Sequence, residues 1–214
     1  MTSGATRWAI VVPMKRLGLA KTRLSADPQV RADLALAMAQ DAVTAALSCP
    51  DVTSVVVVTD EPVAATSMRA LGAVVVADAP DAGLNPALQH GAREALAIDP
   101  SVSVAALASD LPALRPDALM LALAAAGEHP IVVVADAEGS GTTLLAAHDS
   151  TRFAPRFGAR SRQAHVADGA VDVTEVAPDA VRRDVDTVDD LRAAHVLGCG
   201  PATSAALQRH PLLG

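Results

Sequence analysis

Aromatic side chains are almost missing from this 214-residue chain, which has two phenylalanines, one tryptophan and no tyrosine. A core without large rings has to be assembled from Ala, Val and Leu, a composition that suits helices packed closely on a sheet. Cysteine is equally scarce: Cys49 and Cys199 stand alone, outside any C-x-x-C or metal-ligand spacing. That excludes a disulfide framework and fits a reduced, cytoplasmic protein. Positive charge is in deficit, with 17 Lys and Arg against 24 Asp and Glu for a formal net charge of −7. A sequence-independent nucleic-acid binder needs a broad basic face, and none emerges from this balance. No apolar run approaches the roughly 18 residues of a membrane span, and only seven residues precede the first apolar stretch, so neither membrane insertion nor secretion is expected.

Several catalytic signatures are also lacking. There is no G-x-x-x-x-G-K-[ST], no G-x-G-x-x-G after a strand pattern and no G-x-S-x-G elbow. This leaves a P-loop enzyme, an ordinary dinucleotide-binding dehydrogenase and a Ser-His-Asp hydrolase without support. His90, His129, His148, His165, His195 and His210 are scattered without ligand spacing and read as surface or capping residues.

What is there is an alternation of short apolar runs and helical patterns. Trp8 to Pro13, Val52 to Thr59, Ala73 to Ala77, Val102 to Ala108 and His129 to Ala135 predict strands. Between them, helices are predicted from Asp27-Pro28 to Leu47, from Pro62 to Gly72, from Asn85-Pro86 to Ile98 and from Arg115 to Ala126. Beyond residue 135 the pattern changes. A Gly-rich stretch (136–143) leads to the apolar run Leu144 to Ala147, an arginine-rich stretch (150–162), a late strand from Val171 to Val176 and a helix from Val188 to Leu197 before a short C-terminal helix or tail. Alternation through the first 135 residues argues for parallel β-α units of an α/β fold, in one domain over 1–214, with 136–180 as an elaboration over the strand ends.

Three constellations could carry chemistry. The first is the loop after the opening strand, where Lys15, Arg16, Lys21, Thr22 and Arg23 concentrate cationic and hydroxyl groups in an acidic protein and suit an anion. The second is a pair of acidic turns, Ser109-Asp110-Leu111-Pro112 and Asp184-Val185-Asp186-Thr187. A carboxylate at the end of a parallel strand is placed to meet a ligand, and hard cations such as magnesium take carboxylate oxygens while keeping positions for water and phosphate. Asp110 could instead cap the next helix, and Asp186 or Thr187 the helix from Val188. The third is Gly139-Ser140-Gly141-Thr142 with Arg152, Arg156, Arg160, Arg162 and Ser161, glycines and guanidinium forks that suit a phosphate or carboxylate. Phe153 and Phe157 read as plugs holding this segment on the core. Together these describe a cationic loop for a nucleoside triphosphate, carboxylates for its magnesium and a second anion pocket for an acceptor. A phosphate acceptor is already ionised near neutral pH and needs no catalytic base.

The ordered motifs P-x-K-x-x-x-x-A-K-T-R-L (13–24), SDLP, GSGT (139–142), RFG-x-x-S (156–161) and DVDT (184–187) resemble the 2-phospho-L-lactate or phosphoenolpyruvate guanylyltransferases of coenzyme F-420 biosynthesis, over essentially the whole chain. The resemblance implies a single-domain nucleotidyltransferase fold of the glycosyltransferase-A type, Rossmann-like, with a mixed, mostly parallel central sheet between helices. It implies transfer of GMP from GTP to phosphoenolpyruvate, 2-phospho-L-lactate or 3-phosphoglycerate, with phosphoenolpyruvate favoured by a lean toward the actinobacterial branch. By that likeness Thr142, Gly158 and Ser161 hold the acceptor; Asp110, Asp184 and Asp186 carry Mg2+; Lys15, Lys21 and Arg23 face the triphosphate; and the Asn85 loop lies near the guanine. Lys15, Lys21, Arg23 and Asp110 are the residues expected to be catalytic. One departure from sugar-phosphate nucleotidyltransferases is a first loop with only Gly18 in place of a glycine-rich one. A catalytically silent nucleotide-binding protein on the same fold is the alternative. Small molecules are the expected partners, with no nucleic acid and no membrane, and a homo-oligomer is left open.

Overall fold

The computed structural model describes residues 6–14 and 23–213. Lys15, Arg16, Lys21 and Thr22 of the basic loop lie outside the described residues. The apolar run Trp8–Pro13 forms β1, flanked by the parallel strands β2 (Val52–Val58) and β4 (Ser103–Leu107), while β3 (Val74–Val76) lies parallel on the far side of β2. Three more strands, β5 (Val132–Val134), β6 (Leu144–Ala147) and β7 (Val171–Asp172), complete a seven-stranded sheet in the order β3-β2-β1-β4-β6-β5-β7. The sheet is mixed and mostly parallel, as expected: only β6 runs against its neighbours β4 and β5.

Both faces are covered. Side chains alternate along a strand, so Ile10 and Val12 pack with residues of α1 (Pro28–Leu47) and α4 (Pro116–Gly127) on one face. Val11 and Val58 pack on the other with Leu88 and Ala92 of α3 (Leu84–Ile98). That second contact is close enough to need a glycine, since a Cβ on Gly91 would run into the side chains of Val11 and Val58. The helix boundaries follow the punctuation of the chain: Asp27 accepts a hydrogen bond from the Gln29 N–H (2.8 Å) ahead of Pro28, and Gly72 ends α2 (Pro62–Leu71) at φ +100°. Among the described residues no helix is long and apolar enough to cross a membrane.

The second half departs from the expected elements. The strand expected over 171–176 stops after Asp172 and becomes a 3-10 turn (Thr174–Val176). Polar groups cause the break: the Asp172 carboxylate accepts from the Thr174 N–H (3.0 Å), and the Thr174 hydroxyl accepts from the Ala135 N–H (2.9 Å). Two helices were not foreseen, α5 (Ser161–Ala167) and α6 (Asp179–Arg182). At the end of the chain, α7 (Val188–Leu197) and α8 (Pro201–Arg209) pack Leu191, Ala194 and Ala206 on Leu34, Ala37 and Met38 of α1. The buried Asp41 carboxylate of α1 accepts from the N–H groups of Ala202 (3.0 Å) and Thr203 (2.8 Å), capping α8, whose own N-cap is Gly200. A Cβ on Gly200 would collide with that carboxylate.

Candidate active site

The strand reversal at β6 builds the site. Parallel strands present their carboxyl ends along one edge, whereas an antiparallel strand brings its amino end to that edge. Leu107, the last residue of β4, therefore faces Leu144, the first of β6, which in turn faces Val134, the last of β5. Residues 108–112, leaving β4, thus meet residues 135–143, entering β6, and the Ala108 N–H donates to the Thr143 carbonyl (2.9 Å). Above this junction is a cavity of about 400 Å³, a size that accommodates a small ligand. Asp110, Asp184, Asp186, Thr142, Gly158 and Ser161 all line it.

The two acidic turns are joined through their backbones, the Val185 N–H donating to the Asp110 carbonyl at 3.1 Å. Neither motif is there to cap a helix with the aspartates in question. The N-cap of α4 is Arg115, not Asp110. At α7 the work is shared by Thr187 and Asp190 in a capping box, the Asp190 N–H donating to the Thr187 hydroxyl (3.2 Å) and the Thr187 N–H to the Asp190 carboxylate (2.9 Å).

The glycine-rich turn is shaped by a residue that the sequence reading passed over. Asp136 accepts from the N–H groups of Ser140 (2.9 Å) and Gly141 (2.8 Å) and itself lines the cavity. Its carboxylate occupies the space that a Cβ on Gly141 would need. An Asp set just ahead of a G-x-G turn is a readable signal for such an arrangement. Behind it, Arg182 donates to the carbonyls of Ala135 (3.4 Å) and Asp136 (3.2 Å).

The arginines of 150–162 are partly spent on structure. Arg156 donates through Nε to Asp168 (2.8 Å), and Arg162 through Nε to Asp172 (2.6 Å) and through a terminal nitrogen to the Gly139 carbonyl (3.2 Å). Arg156 and Arg162 therefore serve first to hold the loops around the cavity, where the sequence reading had all four arginines as forks for the guest. Burial raises the Asp172 pKa, but hydrogen bonds from Thr174 and the Arg162 guanidinium outweigh it and leave the group below the usual carboxylate range. Between the arginines, Gly158 takes φ +136°, a conformation open to glycine alone among common residues. Phe153 and Phe157 pack on the core as expected, and Phe157 also lines the cavity.

Asn85 turns out to hold the loop. Its side-chain oxygen accepts from the Phe157 N–H (2.7 Å) and its amide nitrogen donates to the Phe157 carbonyl (3.1 Å), so the amide is engaged with main chain within the loop that the resemblance set near the guanine. Arg23 is exposed and is not among the lining residues. Lys15 and Lys21 lie outside the described residues.

His165 corrects the reading of the histidines as surface or capping groups. Its side chain is buried in α5, four residues from the equally buried Ser161, and that spacing places both on one face of the helix. Its Nε2 accepts from the Arg156 N–H (2.8 Å), its Nδ1 stands 3.1 Å from the Thr142 hydroxyl, and its ring meets Phe157 edge-on. Burial, with the Arg156 charge adding to it and Asp168 opposing, pushes its pKa down to about 4. The thiols are equally inert: burial and the Asp41 charge push Cys199 up to about 11, and burial raises Cys49. No activated nucleophile is offered by either.

Among the described residues no group of three or more His, Cys, Asp and Glu side chains is placed to hold a metal by itself. Magnesium does not require one, since it is bound by one or two carboxylates together with substrate phosphates and water. Four aspartates border the cavity, Asp110, Asp136, Asp184 and Asp186, and with Asp136 taken up by the N–H groups of Ser140 and Gly141 the others offer the one or two carboxylates such a site needs.

A family model described as "Guanylyl transferase CofC like" matches residues 8–207. A phosphoenolpyruvate guanylyltransferase from Thermomonospora curvata is 52% identical over 205 residues, covering 95% of this chain and 90% of that one. One from Streptomyces coelicolor is 52% identical over 210 residues, covering 97% and 99%. Among solved structures, a putative nucleotide-diphospho-sugar transferase from Desulfovibrio desulfuricans superposes with a TM-score of 0.69 at 19% identity, covering 96% of each chain. The fold is thus that of the nucleotidyltransferases, as the motifs implied.

Proposed function

The chain belongs to the CofC-like guanylyl transferase family, and from that membership and its cavity we propose that it transfers GMP from GTP to phosphoenolpyruvate. The products are enolpyruvoyl-2-diphospho-5′-guanosine and pyrophosphate, and the pathway served is coenzyme F-420 biosynthesis in the cytoplasm. The single observation that carries the reading is the meeting of the SDLP and DVDT carboxylates with Thr142, Gly158 and Ser161 around one cavity.

The chemistry asks little of side chains as acids or bases. An oxygen of the acceptor phosphate attacks the α-phosphorus of GTP, a new P–O–P bridge forms, and the bond from the α-phosphorus to the bridging oxygen of the departing pyrophosphate breaks. The attacking oxygen is already anionic at neutral pH, so the barrier is lowered by positioning and by compensation of charge. Asp110 and Asp184, with Asp186 beside them, would hold Mg2+. When bound, the ion supplies positive charge that offsets the charge developing on the phosphates. Lys15, Lys21 and Arg23 would face the triphosphate. Thr142, the Gly158 turn and Ser161 would receive the phosphoenolpyruvate, with Asp136 and Asn85 keeping the two loops in place.

The test is pyrophosphate release from GTP and Mg2+ with a panel of phosphoenolpyruvate, 2-phospho-L-lactate and 3-phosphoglycerate, repeated with ATP. Release with GTP and phosphoenolpyruvate exceeding the other combinations is expected. No release with any acceptor overturns the reading.

A further inference from the structure

His165 has no part in the reaction as proposed, yet it sits immediately behind a residue of the acceptor pocket. It is 1% exposed, and each of its ring nitrogens has a polar neighbour. The neighbour of Nε2 is the main-chain N–H of Arg156, at 2.8 Å. A main-chain N–H can only donate, so Nε2 must carry a lone pair there. With a pKa near 4, the ring is neutral at pH 7 and its one proton is on Nδ1. Nδ1 faces the Thr142 hydroxyl oxygen at 3.1 Å, and that oxygen is consequently an acceptor toward the Nδ1–H, a proton that the Ser161 main chain also engages by a hydrogen bond. The hydroxyl proton of Thr142 cannot then point at His165. Thr142 borders the cavity, and the ring is kept from turning over by Phe157, whose ring lies edge-on at 5.4 Å and whose backbone is gripped by Asn85.

We propose that His165 is a positioning residue whose Nδ1–H commits the Thr142 hydroxyl to donate into the cavity, so that this point of the site takes an oxygen that only accepts, such as a phosphate or carboxylate oxygen of the acceptor substrate. The inference rests on the guanylyl-transfer reading for the identity of that substrate, though not for the hydrogen-bond order itself. A threonine hydroxyl left to itself can donate or accept, and it would greet a hydroxyl-bearing ligand as readily as an anion. Fixing its sense from behind removes that ambiguity before the substrate arrives.

Two measurements on the full chain test it. In the ¹⁵N-labelled protein at pH 7, long-range ¹H–¹⁵N correlation of the histidine rings reads the tautomer, with the His165 signals identified by their loss in His165→Asn. A bare Nε2 and a protonated Nδ1 are expected; the reverse overturns the proposal. For kinetics, His165→Gln can keep an oxygen near the Arg156 N–H while removing the Nδ1 donor, whereas His165→Asn can return an N–H close to the Nδ1 position. His165→Gln is expected to raise KM for phosphoenolpyruvate about 10-fold, the size of one lost hydrogen bond, with KM for GTP unchanged. His165→Asn is expected to recover most of that loss, and in a Thr142→Val background His165→Gln is expected to add nothing. Equal effects on both substrates, or effects that add in full to Thr142→Val, overturn it. Should both His165 variants fail to fold, the tautomer of the wild-type ring still decides, its signal assigned by its shift in Thr142→Val. Wild-type protein that releases no pyrophosphate would overturn the functional reading, while the tautomer would continue to judge the His165–Thr142 relation.

Discussion

The Val185 N–H donates to the Asp110 carbonyl oxygen at 3.1 Å, and this main-chain bond holds together two acidic turns from distant parts of the chain. The tie uses neither carboxylate. The side chains of Asp110 and Asp184 can therefore be altered without cutting the bond that brings them to one cavity.

Asp110→Asn follows directly. It keeps the shape of the side chain and the backbone link but removes the charge that would hold Mg2+. Turnover measured by pyrophosphate release is expected to fall by about 10²–10³-fold, the scale of losing one strong electrostatic contact in an active site. The melting temperature should stay within a few degrees of wild type. An active Asp110→Asn enzyme would sink the role given to this carboxylate.

Asn85→Ala withdraws both hydrogen bonds from the Phe157 backbone. Leaving those groups without partners costs about 1–3 kcal/mol, seen as a lowered urea midpoint. Because the loop it releases carries Gly158 and Ser161, KM for the acceptor should rise more than KM for GTP. A larger effect on GTP would favour a base-contacting role for Asn85 instead.

Gly141→Ala forces a Cβ into the space of the Asp136 carboxylate. The expected cost is about 1–3 kcal/mol, with weakened acceptor binding. Asp136→Ala removes the obstruction, so the two substitutions should be strongly non-additive: in the Asp136→Ala background, Gly141→Ala should cost little more. Simple additivity in urea denaturation would contradict the crowding seen at this turn.

Acid sensitivity should set in before the carboxylates titrate. The His165 pKa is lowered from 6.5 to about 4, chiefly by burial, so the unfolded state takes up the proton first. Its contribution to stability is whole above pH 6.5 and shrinks as pH falls toward about 4. The limit is about 3 kcal/mol. Asp33, Asp172 and Asp190 have folded pKa values below their ordinary 3.8, so what they contribute is lost only at still lower pH. Urea midpoints at pH 7 and pH 4.5 should differ in the wild type, and that difference should narrow in His165→Gln.

The first half of the fold was legible because its signals are local. Proline and aspartate mark where α1 begins, Gly72 where α2 ends, and the valine runs read as strands, buried in β2 and β5 and partly exposed at the sheet edge in β3. The elaboration was harder, since Asp172 and Thr174 stop β7 by hydrogen-bonding into the main chain, and no period in the sequence announces that. The carboxylates and GSGT were found as motifs, but what supports them was not. Asp136 ahead of its G-x-G turn was a local signal, whereas Asn85 and His165 act across long gaps in sequence through hydrogen bonds to main chain or hydroxyl, which no local pattern announces. His165 misled for a physical reason: a lone histidine gives no sign of whether it will be buried.

The capping of α8 by Asp41 also bears on how the protein comes into being. A ribosome releases the first helix long before residues 202 and 203, whose amides receive that carboxylate, have been joined to the chain. Burying a carboxylate without partners costs several kcal/mol, so α1 cannot settle fully into its native place until those amides arrive. The first helix must wait for amides 161 and 162 residues downstream before this corner can close.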